Sequence, residues 1–515
     1  MENKSNLYKA LGDQYKSLNI DQSYLCYENA LYHYLKENGR TDLKDMFVQV
    51  CQAQLQYLRE CKPFTVHKTA IVILSYNNAD LTKECIDSIR ENNAADTYEL
   101  IVVDNASSDG IQDWLRIQKD IKFIGNNTNQ GFPHGCNQGI AAAAENADIL
   151  LLNNDTIVPE DAVFWLRMGL YESEKTGAAG SVSNNTVNYQ QVPQQFDTVE
   201  QWMDFARNNN VPMQQPYERK GWLVGFAMLI KRTALEAVMH MENKDVRETV
   251  REVLDTRFTP GNFEDNDFSI RLLLAGYQLL LVKNSFIYHY GSKAFKAIPE
   301  KFRKLLAVNR EKLKEKYGLD LISYSYVESA LIEMMHTKED VRVLEVGCKM
   351  GATLARVESI YPRAKVLGFE KNKLLSQLAA GVVNVRNQDF LEENAEIDEK
   401  FDIIIFDEVL NAESAEEMLK KARQCLQATG KMLISLQNAQ CIKKKFNDKQ
   451  AFKLDDIIAL CNKCELQINE FNYRKAALSF EEKQEVLRLC GGGDPSARIL
   501  YEAQKFIFEA VIKIL

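Results

Sequence analysis

Wholly apolar stretches about one strand long, each stopping abruptly on a polar residue, recur in two groups along this chain and constrain its fold more than any other feature. The first group runs AIVILSYNN from Ala70, ELIVVDN from Glu99, IKFIG from Ile121 and ADILLLNND from Ala147. The second runs VRVLEVG from Val341, KVLGFE from Lys365, FDIIIFD from Phe401 and KMLISL from Lys431. Amphipathic stretches such as LTKECIDSIRE and IQDWLRIQ separate the runs of the first group. Strands alternating with helices build largely parallel α/β sheets, and ligands gather at the carboxyl ends of such strands. The expected fold class is therefore α/β, with two Rossmann-like sheets in succession.

Before Ala70 the period is helical: Leu7, Leu11, Tyr15 and Leu18 share one face, and Leu25, Ala30, Leu31, Tyr34 and Leu35 another. LGDQYKSLNIDQSYLCYENAL, from Leu11, resembles one tetratricopeptide unit, in which Gly12 permits close packing and Tyr27, Ala30 and Leu31 form an inner face. One unit cannot bury that face alone, so it must pack on a neighbour or partner. The expected division is a helical module over 1–62, a first α/β domain over 66–317 and a second over 318–515. Within the first, the polar stretch Asn184–Lys220 reads as a long excursion, and Glu300–Tyr317 reads as a helical connector.

Composition narrows the function classes. Against 72 acids stand 63 Lys and Arg, a net charge of −9, which disfavours a nucleic-acid coat or a polybasic membrane binder. No apolar run is long enough to span a bilayer, and the start has charges without a signal-type core, so a cytoplasmic protein without an integral membrane segment is expected. Eleven cysteines, an odd number in no regular spacing, read as reduced thiols; Cys461 and Cys464 form the one CxxC and lack a second pair to build a zinc site.

The first site assembles from strand ends. Ser75, Tyr76 and Asn77 close one strand, Asp104 and Asn105 the next, and Asn153, Asn154 and Asp155 a third. A carboxylate at such a lip can accept from a base or ribose, or hold Mg²⁺ or Mn²⁺ against a diphosphate. Either acid alone also fits a cap where a strand passes into a turn. These segments resemble the GT-A glycosyltransferases of family 2, and the similarity continues through NQGFPHGCNQGI from Asn129, GWLVGFAMLIKR from Gly221, FEDNDFSIRLLLAGY from Phe263 and FIYHYGS from Phe286. The resemblance implies inverting transfer from a nucleotide-diphosphate sugar, UDP-linked by preference. Ser75, Tyr76, Asn77, Asp104, Asn105, Asn129, Gly131, Asn153 and Asn154 would line the donor, with Asp104 on the nucleoside. Asp155 and His289 would ligate Mn²⁺ or Mg²⁺, although the metal motif carries one acid rather than two. Asp265, with Glu264 beside it, would be the general base, and Trp222, Gly225, Asp267 and Arg271 would lie on the acceptor side. Read without the resemblance, Glu264, Asp265 and Asp267 fit a solvated first turn of a helix starting near Phe268, His289 a structural histidine, and Trp222 and Phe226 core.

The second site is the glycine turn of VRVLEVGCKMGATL, where backbone can approach an adenosyl ligand closely. Together with KVLGFE and FDIIIFD it resembles class I S-adenosylmethionine-dependent methyltransferases. The resemblance implies Glu345, Gly347, Gly351, Glu370, Asp389 and Asp407 around that cofactor, with Glu370 on the ribose. Lys349 stands where that family usually has a further glycine, which leaves an active, a binding-only and a purely structural unit all open. The acceptor implied by the whole is a protein of flagellin or surface-layer type, or a surface glycan. The rival readings are a methyltransferase that uses the sugar fold for recognition, and a non-catalytic scaffold.

Overall fold

A computed structural model describes residues 3–39, 45–61, 63–187, 190–239, 252–291, 299–337, 340–393, 395, 397–443, 451–490 and 495–513. Ser292, the last residue of the FIYHYGS motif, lies outside them. The chain forms two compact units, Met1–Ile322 and Ser323–Leu515.

The first unit opens with helices α1 (Lys4–Tyr15), α2 (Ile20–Asn38) and α3 (Met46–Glu60). Each starts on a side chain that accepts from first-turn amides: Asn3 for α1, Asn19 for α2 and Asp45 for α3. Gly12 lets α1 and α2 close up, since a Cβ there would sit 3.0 Å from the Tyr27 ring. The inner face carries Tyr8, Leu25, Tyr27 and Ala30 and joins one apolar cluster with Phe164, Trp165 and Leu166 of the helix Ala162–Leu170. The hairpin thus buries its apolar side on the sheet-bearing part of its own unit.

That part is a mixed sheet of eight strands, β1 (Thr69–Ser75), β2 (Tyr98–Asp104), β3 (Ile121–Gly125), β4 (Asp148–Asn153), β6 (Thr176–Val182), β7 (Tyr217–Arg219), β8 (Ala227–Ile230) and β9 (Gln278–Phe286), while β5 (Thr156–Ile157) pairs with β10 (Tyr288–His289) as a separate ribbon. The order is β3-β2-β1-β4-β8-β6-β9-β7. Ser75 lies opposite Asp104 and Leu74 opposite Asn153, so the carboxyl ends of β1, β2 and β4 finish level. β8 runs antiparallel between β4 and β6. The excursion expected over Asn184–Lys220 is partly regular: it contains the helix Val199–Asn209 and β7. Trp202 and Ala206 of that helix pack with Val192, Leu281 and Phe286, an amphipathic stripe masked in sequence by surrounding polar residues. The helix expected near Phe268 starts earlier, spanning Glu264–Leu274.

The second unit carries β11 (Arg342–Val346), β12 (Lys365–Phe369), β13 (Val385–Arg386), β14 (Phe401–Asp407), β15 (Leu426–Asn438), β16 (Ala451–Phe452), β17 (Leu466–Lys475) and β18 (Ala503–Ile512). Its order is β13-β12-β11-β14-β15-β18-β17, with β16 beside β15. Strands β13 to β15 are parallel, β18 is antiparallel to both neighbours, and the order reverses between β11 and β14 as in doubly wound sheets. This is a doubly wound α/β unit. All eleven cysteines are free thiols, with Cys461 and Cys464 in the core. Among the described residues no helix is long and apolar enough to cross a membrane.

Candidate functional site

At the lip of β4 the chain turns through Asn154 and Asp155 into β5, and the β5–β10 ribbon places His289 opposite Thr156. The consequence is contact between two groups far apart in sequence: Nε2 of His289 lies 3.2 Å from an Asp155 carboxylate oxygen. The ring is held from its other side, where Nδ1 is 2.7 Å from the Asn185 carbonyl, and it stacks on Phe226 at 5.2 Å. A carbonyl can only accept, so Nδ1 carries a proton and Nε2 turns toward the carboxylate and the Asn153 amide, 3.3 Å away. Two oxygen- and nitrogen-borne lone pairs facing each other need a proton or a cation between them. Asp155 and His289 therefore fit a hard or borderline divalent ion such as Mg²⁺ or Mn²⁺.

Other strand-end residues are built in more deeply than the sequence suggests. Asp104 is fully buried; its carboxylate accepts from the Ser107 amide at 2.9 Å and from Gln112 Nε2 at 2.7 Å, besides the Ser107 hydroxyl. The side chain of Asp104, expected on the nucleoside, caps the β2 turn in this geometry, as short acids do where a strand ends. Asn105 is equally buried, donating to the Gly131 carbonyl at 3.1 Å and accepting from Asn126 at 2.9 Å. Expected as a donor contact, it also clamps the loop that enters the helix Phe132–Ala142. Ser75 is buried against Thr82, which also accepts from Asn154 at 2.9 Å. Asn129 accepts from the Gly131 amide at 2.9 Å. Gly131 has φ 84°, and a Cβ there would meet Thr259 at 2.8 Å, so both backbone and packing require glycine. Asn77 accepts from Ser108 N at 3.0 Å, and Tyr76 remains 45% exposed, an aromatic face open at this lip.

The acidic motif lies at the start of the helix Glu264–Leu274. Half-buried Asp265 accepts from the amides of Gly225 at 3.0 Å and Asn266 at 2.8 Å. Burial still pushes its carboxyl above the ordinary range, since those amides offset desolvation only in part. Glu264 is buried with Oε2 lacking a hydrogen-bond partner among the described residues. Desolvation first, and the Asp265 charge second, push it well above its usual value, so of the two carboxyls Glu264 holds its proton the more tightly. Trp222 is half-buried, and Gly225, in the same segment, supplies the amide that holds Asp265.

Asp267 and Arg271, expected on the acceptor side, are buried and paired with each other. Asp267 is fully buried, 2.8 Å from Arg271 Nε, 2.5 Å from Lys316 Nζ and 2.8 Å from the Tyr317 hydroxyl. Burial is outweighed by those two cations, which hold its carboxyl below the usual range. Arg271 also donates to the Glu252 and Val253 carbonyls. The pair ties this helix to the helix Pro299–Tyr317 and touches no open surface. A further cluster, His33, Glu160 and Asp161, has metal-ligand chemistry, yet Lys4 reaches both acids at 2.5 and 2.9 Å and Lys36 reaches Glu160 at 2.8 Å. Two ammonium groups already fill the place of a cation.

In the second unit the glycine turn and the strand-end acids fall where expected, at the carboxyl ends of β11, β12 and β14. Their partners differ from expectation. Glu370 accepts from the amides of Lys349 at 2.9 Å and Asn372 at 2.8 Å. Asp407 accepts from Lys349 Nζ, from Ser435 at 2.6 Å and from the Tyr326 hydroxyl at 3.0 Å. Asp389 accepts from the Leu391 amide at 3.1 Å and lies 3.3 Å from Lys371. Gly347 and Gly351 have φ 72° and 77°, and a Cβ on either would meet Val409 or Val383 at 2.6 Å. Glu345 is buried, pushed well above its usual range by desolvation first, with Oε2 lacking a partner among the described residues. The acids expected to hold S-adenosylmethionine are engaged by the chain itself. Sequence reading missed Asn185, which aims His289, and Lys505 and Tyr326, which complete the Asp407 cluster; no local pattern marks them.

Residues 70–239 match the family model described as Glycosyl transferase family 2. A search of curated proteins found no match. Among solved structures the chain is similar to PKMT2 from Rickettsia typhi in complex with AdoHcy, at 12% identity over 34% of this chain and 49% of that one, with a TM-score of 0.26. It is also similar to a TehB-like SAM-dependent methyltransferase from Corynebacterium glutamicum (15%, 42% and 100%, TM-score 0.27) and to the O-methyltransferase of a trans-AT PKS multienzyme from Brevibacillus brevis in complex with S-adenosyl-L-homocysteine (17%, 44% and 80%, TM-score 0.28). The chain spans about half the length of the first of these. The family match covers the strand ends that form the lip, while Asp265 and His289 reach it from the rest of the same unit. Residues 70–239 of this chain thus carry a domain similar to glycosyl transferase family 2.

Proposed function

We propose that the first unit transfers a sugar, a hexose or N-acetylhexosamine such as GlcNAc, from a nucleotide-diphosphate donor to a hydroxyl of a protein or surface glycan in the cytoplasm, with inversion at the anomeric carbon. UDP-linked donors are preferred and dTDP-linked ones come next. The reading rests above all on the facing pair of Asp155 and His289, 3.2 Å apart at the end of β4. Those two residues would hold Mn²⁺ or Mg²⁺; bound there, such a cation neutralises charge on the departing diphosphate. Tyr76, exposed at the same lip, offers a face to the nucleobase, and Asn153 and Asn154 line the diphosphate side.

Inversion needs one ionised carboxylate on the acceptor side, to take the proton of the attacking hydroxyl opposite the leaving group. Asp265 fills that role. The Gly225 and Asn266 amides fix its two oxygens, and neutral Glu264 keeps a second negative charge away from it. The resemblance to this family supports the donor class, and a flagellin or surface-layer protein is the acceptor we favour.

The test is donor hydrolysis with a panel of UDP-, dTDP- and GDP-sugars and Mn²⁺, following nucleotide release by phosphorus NMR. Release from one donor by the wild type, lost in Asp155→Ala, is the expected result and names the sugar. If the wild type releases nothing and UDP neither binds nor stabilises it, the assignment as chemistry is wrong.

A further inference from the structure

We propose that the second unit does not bind S-adenosylmethionine, because Lys349 closes the pocket as a built-in cation. Lys349 Nζ pairs with Asp407 and is 2.8 Å from the Tyr326 hydroxyl, lying over that ring at 4.5 Å from its centroid. A sulfonium-bearing ligand is itself a cation, and a fixed ammonium on the same carboxylate repels it at short range.

Several independent observations point the same way. Lys505, only 6% exposed, reaches the same cluster from β18, 2.5 Å from Glu328 and 3.6 Å from Asp407, with Glu408 as a further partner. Asp407 thus faces two lysines, a serine and a tyrosine and has no free oxygen to offer. Each oxygen of Glu370 accepts from a backbone amide, one of them the Lys349 amide itself, so the acid expected on the ribose is already partly engaged. The backbone adds weight: Lys349 sits at φ 56°, a conformation that glycine adopts freely and a long side chain does not. A strained lysine placed where glycine would be relaxed indicates a side chain kept for what it does. What it does, on this geometry, is satisfy Asp407 and fill the turn.

The inference concerns the second unit alone and does not depend on sugar transfer by the first. Titrating the full chain with S-adenosylhomocysteine and with S-adenosylmethionine by calorimetry, up to about 1 mM, tests it beside thermal denaturation of the same samples. The wild type and Lys349→Arg should give neither heat nor a melting shift. Lys349→Gly suits the backbone at that position and leaves Lys505, Ser435 and Tyr326 on Asp407, so it should stay folded and bind S-adenosylmethionine at least about tenfold more tightly than wild type. Stoichiometric binding by the wild type would overturn the proposal. So would a folded Lys349→Gly chain, judged by its melting curve, that binds no better than wild type.

Discussion

Two carboxyls next to each other in sequence, Glu264 and Asp265, are both pushed up by burial, Glu264 the further because the Gly225 and Asn266 amides hold Asp265. Asp265→Asn should lower transfer by about 10²- to 10⁴-fold, the usual share of a general base, while the melting temperature stays close to wild type. Glu264 behaves differently. The native chain keeps a proton on Glu264 that the unfolded chain releases above about pH 4.3, so the native state binds more protons and stability falls as pH rises from there. Glu264→Gln carries no such charge. Its melting temperature relative to wild type should therefore rise between pH 5 and pH 8, and a constant difference across that range would show Glu264 to be ionised in the folded chain. Asp104 belongs to a third kind, a carboxylate spent on its own turn. Asp104→Ala strands the Ser107 and Gln112 donors and should cost about 1–3 kcal/mol, with the KM for donor unchanged within about twofold. A tenfold rise in KM at unchanged stability would return Asp104 to the donor site.

At the scale of elements, the runs from Ala70, Glu99, Ile121 and Ala147 became β1 to β4, because an apolar strand-length stretch bounded by polar residues has few other ways to be buried. β8 was legible as an apolar run but not as the antiparallel strand between β4 and β6, since pairing partners are chosen by tertiary contacts that no local pattern carries. The same holds for Asp267 and Arg271, whose motif context reads as functional while Lys316 and Tyr317, which engage them, lie on a later helix. His289 was legible through its motif, and its distance to Asp155 follows from a ribbon of only two-residue strands. Where β8 begins, Gly225 is pressed against the proposed base: a Cβ there would lie 3.3 Å from the Asp265 Cβ. Gly225→Ala should shift that carboxylate by a few tenths of an ångström and lower kcat about tenfold, leaving the donor KM alone. Steady-state kinetics separates the two parameters, and an unchanged kcat would remove Gly225 from the positioning of Asp265.

On the scale of the whole molecule, the N-terminal hairpin belongs to the core of the first unit. Asp161, fully buried at the start of the helix Ala162–Leu170, is neutralised by Lys4 and bonded by His33 at 2.7 Å and Asn29 at 3.0 Å, all from α1 and α2. Deleting residues 1–60 would leave that charge without partners, a loss of about 3–5 kcal/mol, and bare Phe164 and Trp165 as well. The truncated chain should be aggregated or unfolded by gel filtration and circular dichroism; a monomeric, cooperatively melting product would make the hairpin an appendage. The backbone bond from the Asn153 amide to the Phe226 carbonyl, 2.8 Å long, joins the β4 lip to the segment that carries the Gly225 amide. The proposed cation ligands thereby sit beside paired strands and the proposed base is tied to them through the Gly225 amide, whereas the stretch between Ser183 and Pro216 leaves the sheet and returns to it. Evolution can therefore lengthen, shorten or recolour that stretch to suit a new sugar while the reaction itself is inherited unchanged.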